Sequence, residues 1–463
     1  MSPSEPHSIP EGLEQDDLLD AEEADEEIVK DDDHPMEEDD EDFEDEEIQL
    51  QNDSVAHFDA HADSIFCIAQ HPANPSIVIT GGGDDVAYIF DTSIVQTATS
   101  QPKGERKSLA PLQKLDGHTD SVNAVTFTLP RGEHVVTAGL DGKLRAWKSE
   151  DASAQKWAFI AEASEVQEIN WVAASPNTEH EDVVALGAND GSVWVYQINA
   201  ADSGSPLTIV QAYYLHTESC TAGAWTPDGT LLATVAEDGS LYVWDVFSTG
   251  QAVVTCTAAD ARFEVEGGLY SVACTSSLVA VGGAGGNIKV VGLPQPADQT
   301  KKNAKGAGAS RQQASSAGQL LASLQAQTDG VETLSFSSPP LTILAAGSVD
   351  GSIALFDTAH RFALRRHIKE AHEDYAVVKV DFVRNPQRGG WLLTSAGMDG
   401  VLRRWDVRGG TTAAGQGFLQ EWRGHRGEGE GGGILGFVQG GGGSRIVTAG
   451  DDGVALVFQA EIA

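Results

Sequence analysis

Histidine and aspartate recur along the chain in a regular order, and these residue types can bind metals, exchange protons or form hydrogen-bond networks. A histidine followed by a short polar run stands ahead of an acidic turn in five stretches, at His61, His118, His216, His372 and His425. Three comparable stretches have no such histidine, which argues against a metal site repeated in every stretch. We therefore expect structural roles for these residues.

The chain contains no motif typical of a catalytic or cofactor site. The glycine-rich runs 427–433 and 440–443 lack the Lys-Ser/Thr pair and the following helix of a phosphate-binding loop. No nucleophile elbow, zinc spacing or nucleotide fingerprint is present. We predict that the protein is not an enzyme and needs no metal or cofactor. The cysteines also lack disulfide spacing, which predicts buried, reduced thiols at Cys67, Cys220, Cys256 and Cys274.

Excess negative charge is the strongest signal in the composition. The formal net charge is −41, of which residues 1–50 contribute −23 through 24 acidic residues and one lysine. Such acidic runs do not collapse, so residues 1–53 are predicted to be a disordered tail. The remaining −18 belongs to residues 51–463. This charge disfavours direct contact with nucleic acid and favours basic partners, such as histone-like tails or ribosomal proteins, although a purely solubilising tail is the alternative.

The hydropathy pattern is that of a protein outside membranes. No stretch approaches the roughly 18 uncharged apolar residues that would cross a bilayer. A basic region followed by an apolar run, which would mark a secretory signal, is also missing at the N-terminus. We expect a cytoplasmic monomer without membrane contact, and the nucleus is a second compartment that the sequence allows.

Short β-hairpins position the histidines and aspartates. Residues 231–246 read LLATVAEDGSLYVWDV: an apolar run, an acidic turn and an alternating run. This pattern predicts two antiparallel strands joined by an Asp-Gly turn. One hairpin cannot bury its own apolar face, so its recurrence matters. It occurs eight times, with turns at Asp84, Asp141, Asp190, Asp238, Gly285, Asp350, Asp399 and Asp452.

With a further apolar strand ahead of most hairpins, this unit resembles the WD40 repeat, in which four strands form one blade of a β-propeller. The resemblance implies an all-β fold: a single eight-bladed WD40 propeller, residues 54–463, preceded by the acidic tail. It also implies a buried network in which histidine and aspartate meet a strand hydroxyl (Thr137, Thr234, Thr394) and a tryptophan. The residues assigned to this network are His118, Asp141, Trp147, His216, Asp238, Trp244, Asp350, His372, Asp399 and Trp405.

The N-terminal strand closes the ring in this interpretation. Residues 54–58 look like a strand without a blade of their own, and the last hairpin, which ends at Phe458, lacks an outer strand. The first segment therefore completes the eighth blade, which removes open sheet edges.

The two rims of the predicted propeller differ. Long insertions at 92–111, 172–182 and 294–317 fall on one rim, and the last is low in complexity and predicted to be flexible. The opposite rim has compact loops rich in acid. Its acidic residues are either ordinary solvated loop residues or a site for a basic peptide, and their clustering favours the site. The candidates are Asp63, Asp120, Glu165, Glu218, Glu237, Glu332, Glu373, Asp374 and Asp451.

The first repeat, HADSIFCIAQHPANPSIVITGGGDDVAYIFD, and the layout of acidic tail, eight repeats and an insertion after the fifth are similar to the angio-associated migratory cell protein family. Repeats three, five and eight depart from the pattern. The yeast member of that family is a dedicated chaperone for a large-subunit ribosomal protein of the L-ten family. The resemblance implies capture of the basic N-terminal segment of such a protein during ribosome assembly.

Two other functions remain open. The stretch Trp405-Asp406-Val407-Arg408 matches the adaptor-binding motif of substrate receptors in cullin-type ubiquitin ligases, although so short a motif arises easily in a propeller. A signalling or cell-migration scaffold, as animal relatives suggest, is the other alternative.

Overall fold

The computed structural model describes part of one compact unit, Leu50–Ala463. The described residues are 51–93, 106–151, 153–294, 316–384, 391–409, 417–427, 432–440 and 442–460. The expected disorder of residues 1–53 and flexibility of residues 294–317 fall almost entirely outside these ranges, and both remain predictions.

Eight four-stranded antiparallel blades form the propeller, as predicted. Blades 1 and 2 contain β2 (Ile65–Gln70), β3 (Ile77–Gly82), β4 (Ala87–Asp91) and β6 (Pro111–Leu115), then β7 (Val122–Phe127), β8 (His134–Gly139), β9 (Leu144–Ser149) and β10 (Trp157–Ala163). Blades 3 and 4 contain β11 (Ile169–Ala174), β12 (Val183–Ala188), β13 (Val193–Ile198) and β14 (Leu207–Tyr213), then β15 (Cys220–Trp225), β16 (Leu231–Ala236), β17 (Leu241–Asp245) and β18 (Gln251–Cys256).

The second half of the ring repeats the order. Blades 5 and 6 contain β19 (Leu269–Cys274), β20 (Leu278–Gly283), β21 (Asn287–Gly292) and β22 (Leu320–Gln325), then β23 (Val331–Phe336), β24 (Ile343–Ser348), β25 (Ile353–Asp357) and β26 (Ala363–Ile368). Blades 7 and 8 contain β28 (Val377–Phe382), β29 (Leu392–Gly397), β30 (Leu402–Asp406) and β31 (Phe418–Trp422), then β32 (Ile434–Gln439), β33 (Arg445–Gly450), β34 (Ala455–Gln459) and β1 (Ala56–Phe58). Outside this pattern lie β5 (Lys107–Ser108), β27 (Ala371–Asp374) and the 3₁₀ turn Ala284–Gly286.

Burial explains why the second strand of each blade is the most apolar. All six residues of β3, β8, β12 and β24 are buried. A strand in the middle of a blade packs against neighbouring blades on both faces, so its sequence is a continuous apolar run. The turn after it needs a left-handed residue, and Gly239 supplies a φ of 73° there without steric cost.

The N-terminal strand closes the ring, as predicted. Strand β1 pairs antiparallel with β34, so that Ala56 faces Val457 and Phe58 faces Ala455. Phe58 is fully buried and stacks on Phe90 of blade 1, with ring centroids 4.2 Å apart. An additional feature was not expected: β5 lies parallel to β1 and adds a fifth strand at the outer edge of blade 8.

One insertion is shorter than expected. The predicted segment 172–182 begins inside β11, which continues to Ala174, so the connection to β12 covers only residues 175–182. The other two insertions lie between a third and an outer strand, as predicted.

Every first strand, the one that lines the central channel, has a β-bulge at its second residue. The register shifts there in all eight blades, whose first strands contact one another in cyclic order. A bulge turns its side chain away from the regular alternation of the strand. The bulge residues, from blade 1 to blade 8, are Phe66, Asn123, Asn170, Thr221, Tyr270, Glu332, Val378 and Leu435.

The closure of blade 8 can be tested by truncation. Deleting residues 1–60 removes β1 and the Phe58 ring, and losing a buried phenylalanine alone costs about 3–5 kcal/mol. We expect a strongly lowered melting temperature in calorimetry, and little change when only residues 1–48 are deleted. Equal melting of the two truncated proteins would contradict the closure.

Candidate functional site

In each blade, the turn between the second and third strands is seated against the start of the first strand. The backbone N–H of the residue before the turn donates to the carbonyl of the residue before the first strand, as from Leu140 to Ser121 at 3.0 Å and from Glu237 to Ser219 at 3.0 Å. The same bond occurs in all eight blades. These turns and the loops that precede the first strands therefore form one face, called the turn face below.

A buried hydrogen-bond network lies under the turn face, as the sequence predicted. In blade 2, the His118 ring nitrogens lie 3.0 Å from Asp141 and 2.7 Å from the Thr137 hydroxyl. Asp141 also accepts the backbone N–H of Thr119 at 3.0 Å. Each buried polar group thus has a partner, and the turn is fixed to the loop that precedes the first strand.

Blades 4 and 6 keep this arrangement with changes. In blade 4, the His216 ring contacts the Ser240 hydroxyl at 2.6 Å, and that hydroxyl donates to Asp238. The Trp244 indole donates to Thr234 at 2.9 Å, so the predicted tryptophan link is present. In blade 6, a glutamine replaces the histidine: Gln327 donates to the Ser352 backbone at 2.9 Å, while Asp350 accepts from Thr328.

The hydroxyl assigned to blade 7 was wrong by one residue. The His372 ring, which lies 2.9 Å from Asp399, and the Trp405 indole both bond to Ser395, at 2.8 and 2.9 Å, and not to Thr394. Ser395 is the fourth residue of its strand, as Thr137 and Thr234 are of theirs. Because adjacent residues of a strand point to opposite faces, Thr394 instead accepts from Arg404.

The role assigned to Trp147 was also wrong. Among the described residues no hydrogen bond joins its indole to Thr137, and the buried ring instead packs edge-on against Phe159, 5.9 Å between centroids. The Trp147 ring belongs to the hydrophobic core that also contains Trp157.

Glu165 is exposed beside the first strand of blade 3, and its carboxylate contacts a buried side chain of that blade. It stands four residues before the first strand, where blades 1, 2 and 4 have histidine. Its carboxylate accepts a hydrogen bond from the buried Tyr196 hydroxyl at 2.5 Å, and burial together with Glu165 raises the pKa of that hydroxyl. Binding of a partner by Glu165 stays a prediction.

The other predicted acidic residues lie on the turn face. Asp63 and Asp120 each accept the N–H of the following serine, at 2.7 and 2.8 Å, and Glu218 has the equivalent position in blade 4. Asp451 of blade 8 accepts from the Ser64 hydroxyl of blade 1 at 2.7 Å. The strand β27 holds Glu373 and Asp374, both exposed. Their binding of a partner stays a prediction.

The sequence analysis missed Asp329. It accepts the N–H of Gly330 at 2.7 Å, the same local bond that Asp63 and Asp120 make. An aspartate two residues ahead of a first strand was the signal that would have identified it.

Three carboxylates gather around one aromatic ring at blades 4 to 6. Burial raises the pKa of Tyr270, and so do the nearby charges of Glu332, Glu237 and Asp329. Partial desolvation and the Asp329 carboxylate raise the pKa of Glu332. Like charges near one another are stabilised by a cation between them. We call Glu237, Asp329, Glu332 and Tyr270 the acidic cluster.

The opposite face holds the residues of the ligase motif. Arg408 follows the third strand of blade 7 and forms an ion pair with Asp406, with Nε 2.9 and 3.0 Å from its two carboxylate oxygens. Its side chain is 65 % exposed. Binding of an adaptor through this motif stays a prediction.

The described residues contain no group of three His, Cys, Asp or Glu side chains that could hold a metal ion. The cysteines are unpaired, with Cys220 and Cys256 buried and Cys67 and Cys274 half-buried. Burial raises the pKa of the Cys274 thiol to about 12, so it is not a reactive thiolate. In the same ranges, no helix is long and apolar enough to cross a membrane.

The fold and the network define a WD40-repeat propeller. The family model "WD domain, G-beta repeat" matches residues 52–91, 109–148, 207–245 and 318–357. Full-length relatives narrow the class. The chain is 32 % identical to an uncharacterised WD repeat-containing protein of Schizosaccharomyces pombe, covering 97 % of this chain and 98 % of that one. It is 29 % identical to the ribosome assembly protein SQT1 of Saccharomyces cerevisiae, covering 89 % and 88 %.

An animal relative and solved structures indicate the same family. The chain is 26 % identical to human angio-associated migratory cell protein, covering 88 % of this chain and 80 % of that protein. A crystal structure of Chaetomium thermophilum Sqt1 is 50 % identical, with a TM-score of 0.77 and coverage of 89 % and 98 %. A second structure, of the same protein bound to the N-terminus of the ribosomal protein L10, has the same identity and TM-score and covers 89 % and 100 %. The chain therefore belongs to the WD40-repeat family of Sqt1 and angio-associated migratory cell protein, which confirms the predicted resemblance.

The buried histidines make stability dependent on pH. Burial lowers the pKa of His61, His118 and His372 below their ordinary value of 6.5, against the opposing effect of Asp84, Asp141 and Asp399 respectively. The unfolded chain therefore binds protons that the folded chain does not as the pH falls below about 6.5. The stability contributed by neutral histidine is full above that pH and is lost below it.

We expect His372→Gln, which introduces the residue type that Gln327 supplies in blade 6, to reduce this dependence. The variant takes up one proton fewer on unfolding. The free energy of unfolding should therefore change less steeply with pH, by up to about 1.4 kcal/mol per pH unit between pH 6.5 and 5. Urea unfolding at several pH values measures it. His360→Gln, at a side chain 79 % exposed, is the control. An unchanged slope for the His372 variant would contradict the buried, neutral histidine.

Proposed function

We propose that this protein is a dedicated, non-catalytic chaperone that binds the basic N-terminal segment of a newly made large-subunit ribosomal protein of the L10 family. The observation that carries the proposal is the acidic cluster on the turn face of a chain that is 50 % identical to Sqt1. Sqt1 of Chaetomium thermophilum has been crystallised with the N-terminus of L10.

The turn face gives this binding a physical basis. The backbone of Glu237, Asp329 and Glu332 is fixed by turns and strands, so a partner has to order only their side chains. Each charge-assisted hydrogen bond to an arginine contributes about 1.5–3 kcal/mol where water is excluded. Carboxylates carried by a fixed backbone therefore determine both the affinity and the geometry of the bound segment.

The acidic N-terminal tail has a different role in this proposal. The predicted disorder of this tail means that it gains attraction from its charge of −23 but loses conformational entropy on ordering. It therefore steers the basic partner towards the protein and accelerates capture, while the turn face holds it.

Covering a basic segment has a clear use before ribosome assembly. A free, highly basic peptide binds nucleic acid without sequence preference, through phosphate contacts. A monomeric acidic propeller in the cytoplasm occupies those cationic side chains until the ribosomal protein reaches its RNA site. The propeller itself makes no nucleic acid or membrane contact and performs no reaction.

The double reversal Glu237→Lys and Glu332→Lys tests the turn face. Calorimetric titration with a synthetic L10 N-terminal peptide should show binding at least about 100-fold weaker, because two charge-assisted contacts become repulsive. Deleting residues 1–48 should slow association and lessen its salt dependence with a much smaller loss of affinity.

The control variant has the same net charge as the double reversal. Glu150→Lys with Glu179→Lys reverses two exposed residues that lie in loops of the opposite face. We expect this variant to bind the peptide nearly as tightly as the unmodified protein. If the tail deletion abolishes binding while the turn-face reversal does not, the proposed site is wrong. Recovery of a ligase adaptor instead of a ribosomal protein in affinity purification would support the alternative function.

A further inference from the structure

The bulge residues of blades 2 to 4 form hydrogen bonds between neighbouring blades. Asn123 donates to the Ile169 carbonyl of the next blade at 2.7 Å. Asn170 donates to the Cys220 carbonyl at 3.0 Å, and Thr221 to the Leu269 carbonyl at 2.6 Å. These three side chains join successive blades, so this part of the channel mouth is occupied by the protein's own contacts.

Three other consecutive blades of the ring have apolar bulge residues. Val378, Leu435 and Phe66 have this position in blades 7, 8 and 1. The first strands of these blades contact one another, so the three residues occupy successive positions around the channel mouth. Phe66 is 40 % exposed, and the other two are partly exposed. We call these residues the apolar arc.

Acidic residues adjoin the apolar arc. A Cβ atom at Gly83 would lie 3.1 Å from the Asp63 carboxyl carbon and 3.2 Å from the Phe66 ring, so both side chains lie beside this glycine. The neighbouring Ser64 bonds to Asp451 of blade 8. The apolar surface is therefore continuous with the acidic turn face, and is bordered by charges of the same sign as the acidic cluster.

The two surfaces lie on opposite sides of the channel mouth. Tyr270 is the bulge residue of blade 5, and Phe66 is that of blade 1. Blades 1 and 5 are four positions apart in a closed ring of eight, which is half a turn. A segment that contacts both surfaces must cross the mouth of the channel.

We propose that the apolar arc receives an aliphatic or aromatic side chain of the same basic segment whose cationic side chains pair with the acidic cluster. This inference rests on the proposed function and names the second element of recognition. A run of cations can slide along a run of carboxylates, because each shifted pairing has a similar energy. An apolar side chain seated in the arc fixes one register, and its burial lengthens the lifetime of the complex.

Salt dependence separates the two elements. The variant Phe66→Ala with Leu435→Ala should bind the L10 N-terminal peptide about tenfold more weakly at every salt concentration, with an unchanged salt slope. The heat-capacity change of binding should become less negative, since less apolar surface is buried. The reversal of Glu237 and Glu332 should instead reduce the salt slope.

Two further variants make the test specific. Phe418→Ala with Leu419→Ala removes side chains that are 45 % and 52 % exposed on an outer strand, and should leave peptide binding unchanged. The single variant Phe66→Gln keeps the side chain large and provides the measurement if the double variant melts early. A peptide whose apolar residues are replaced by serine should lose affinity for the unmodified protein but lose little more for the arc variant.

The possible failures can be told apart. If the arc variants bind as tightly as the unmodified protein while the acidic reversal loses binding, the apolar arc is wrong and the proposed function stands. If the arc variants change the salt slope, their effect is electrostatic and the inference is again wrong. If the unmodified protein does not bind the peptide, the proposed function fails and this inference fails with it.

Discussion

The structure depends on one buried contact in each blade: the turn between the second and third strands must be held against the start of the first. Where histidine is present, an aspartate, an imidazole and a strand hydroxyl make this contact, as with Asp141, His118 and Thr137. An unpaired polar group there would be costly, so the three hold one another in place. The position of every turn-face loop follows from this contact.

The same constraint explains what the sequence could and could not predict. Eight hairpins and ring closure follow from periodicity, because a hairpin with one apolar face needs neighbours. The partner of His372 was misplaced because Thr394 and Ser395 are adjacent hydroxyls, and only the pairing register decides which faces inward. The bond from Tyr196 to Glu165 was not predicted because nothing in the sequence places these two side chains beside each other. Contacts between residues of different blades, such as those around Tyr270, could not be predicted because no local sequence pattern indicates them.

A rigid support also explains how like charges can remain close. Asp329 and Glu332 both stand at the start of the first strand of blade 6, and the Asp329 charge raises the pKa of the Glu332 carboxyl. The energy of their repulsion is therefore present before any partner arrives, and a bound cation relieves it. This repulsion lowers the stability of the unbound protein, and its relief on binding increases the affinity for a basic segment.

The strand pairing of blade 8 joins parts of the chain that are made at very different times. Strand β1 ends at residue 58, and its partner β34 is complete only at residue 459. During synthesis the early strand must wait for almost the whole chain to leave the ribosome, and until then blades 8 and 1 cannot meet. Phe66 and Leu435, and likewise Asp63 and Asp451, therefore come together only at the last step of folding. A nascent fragment has no complete turn face, so capture of a client begins only with a finished molecule.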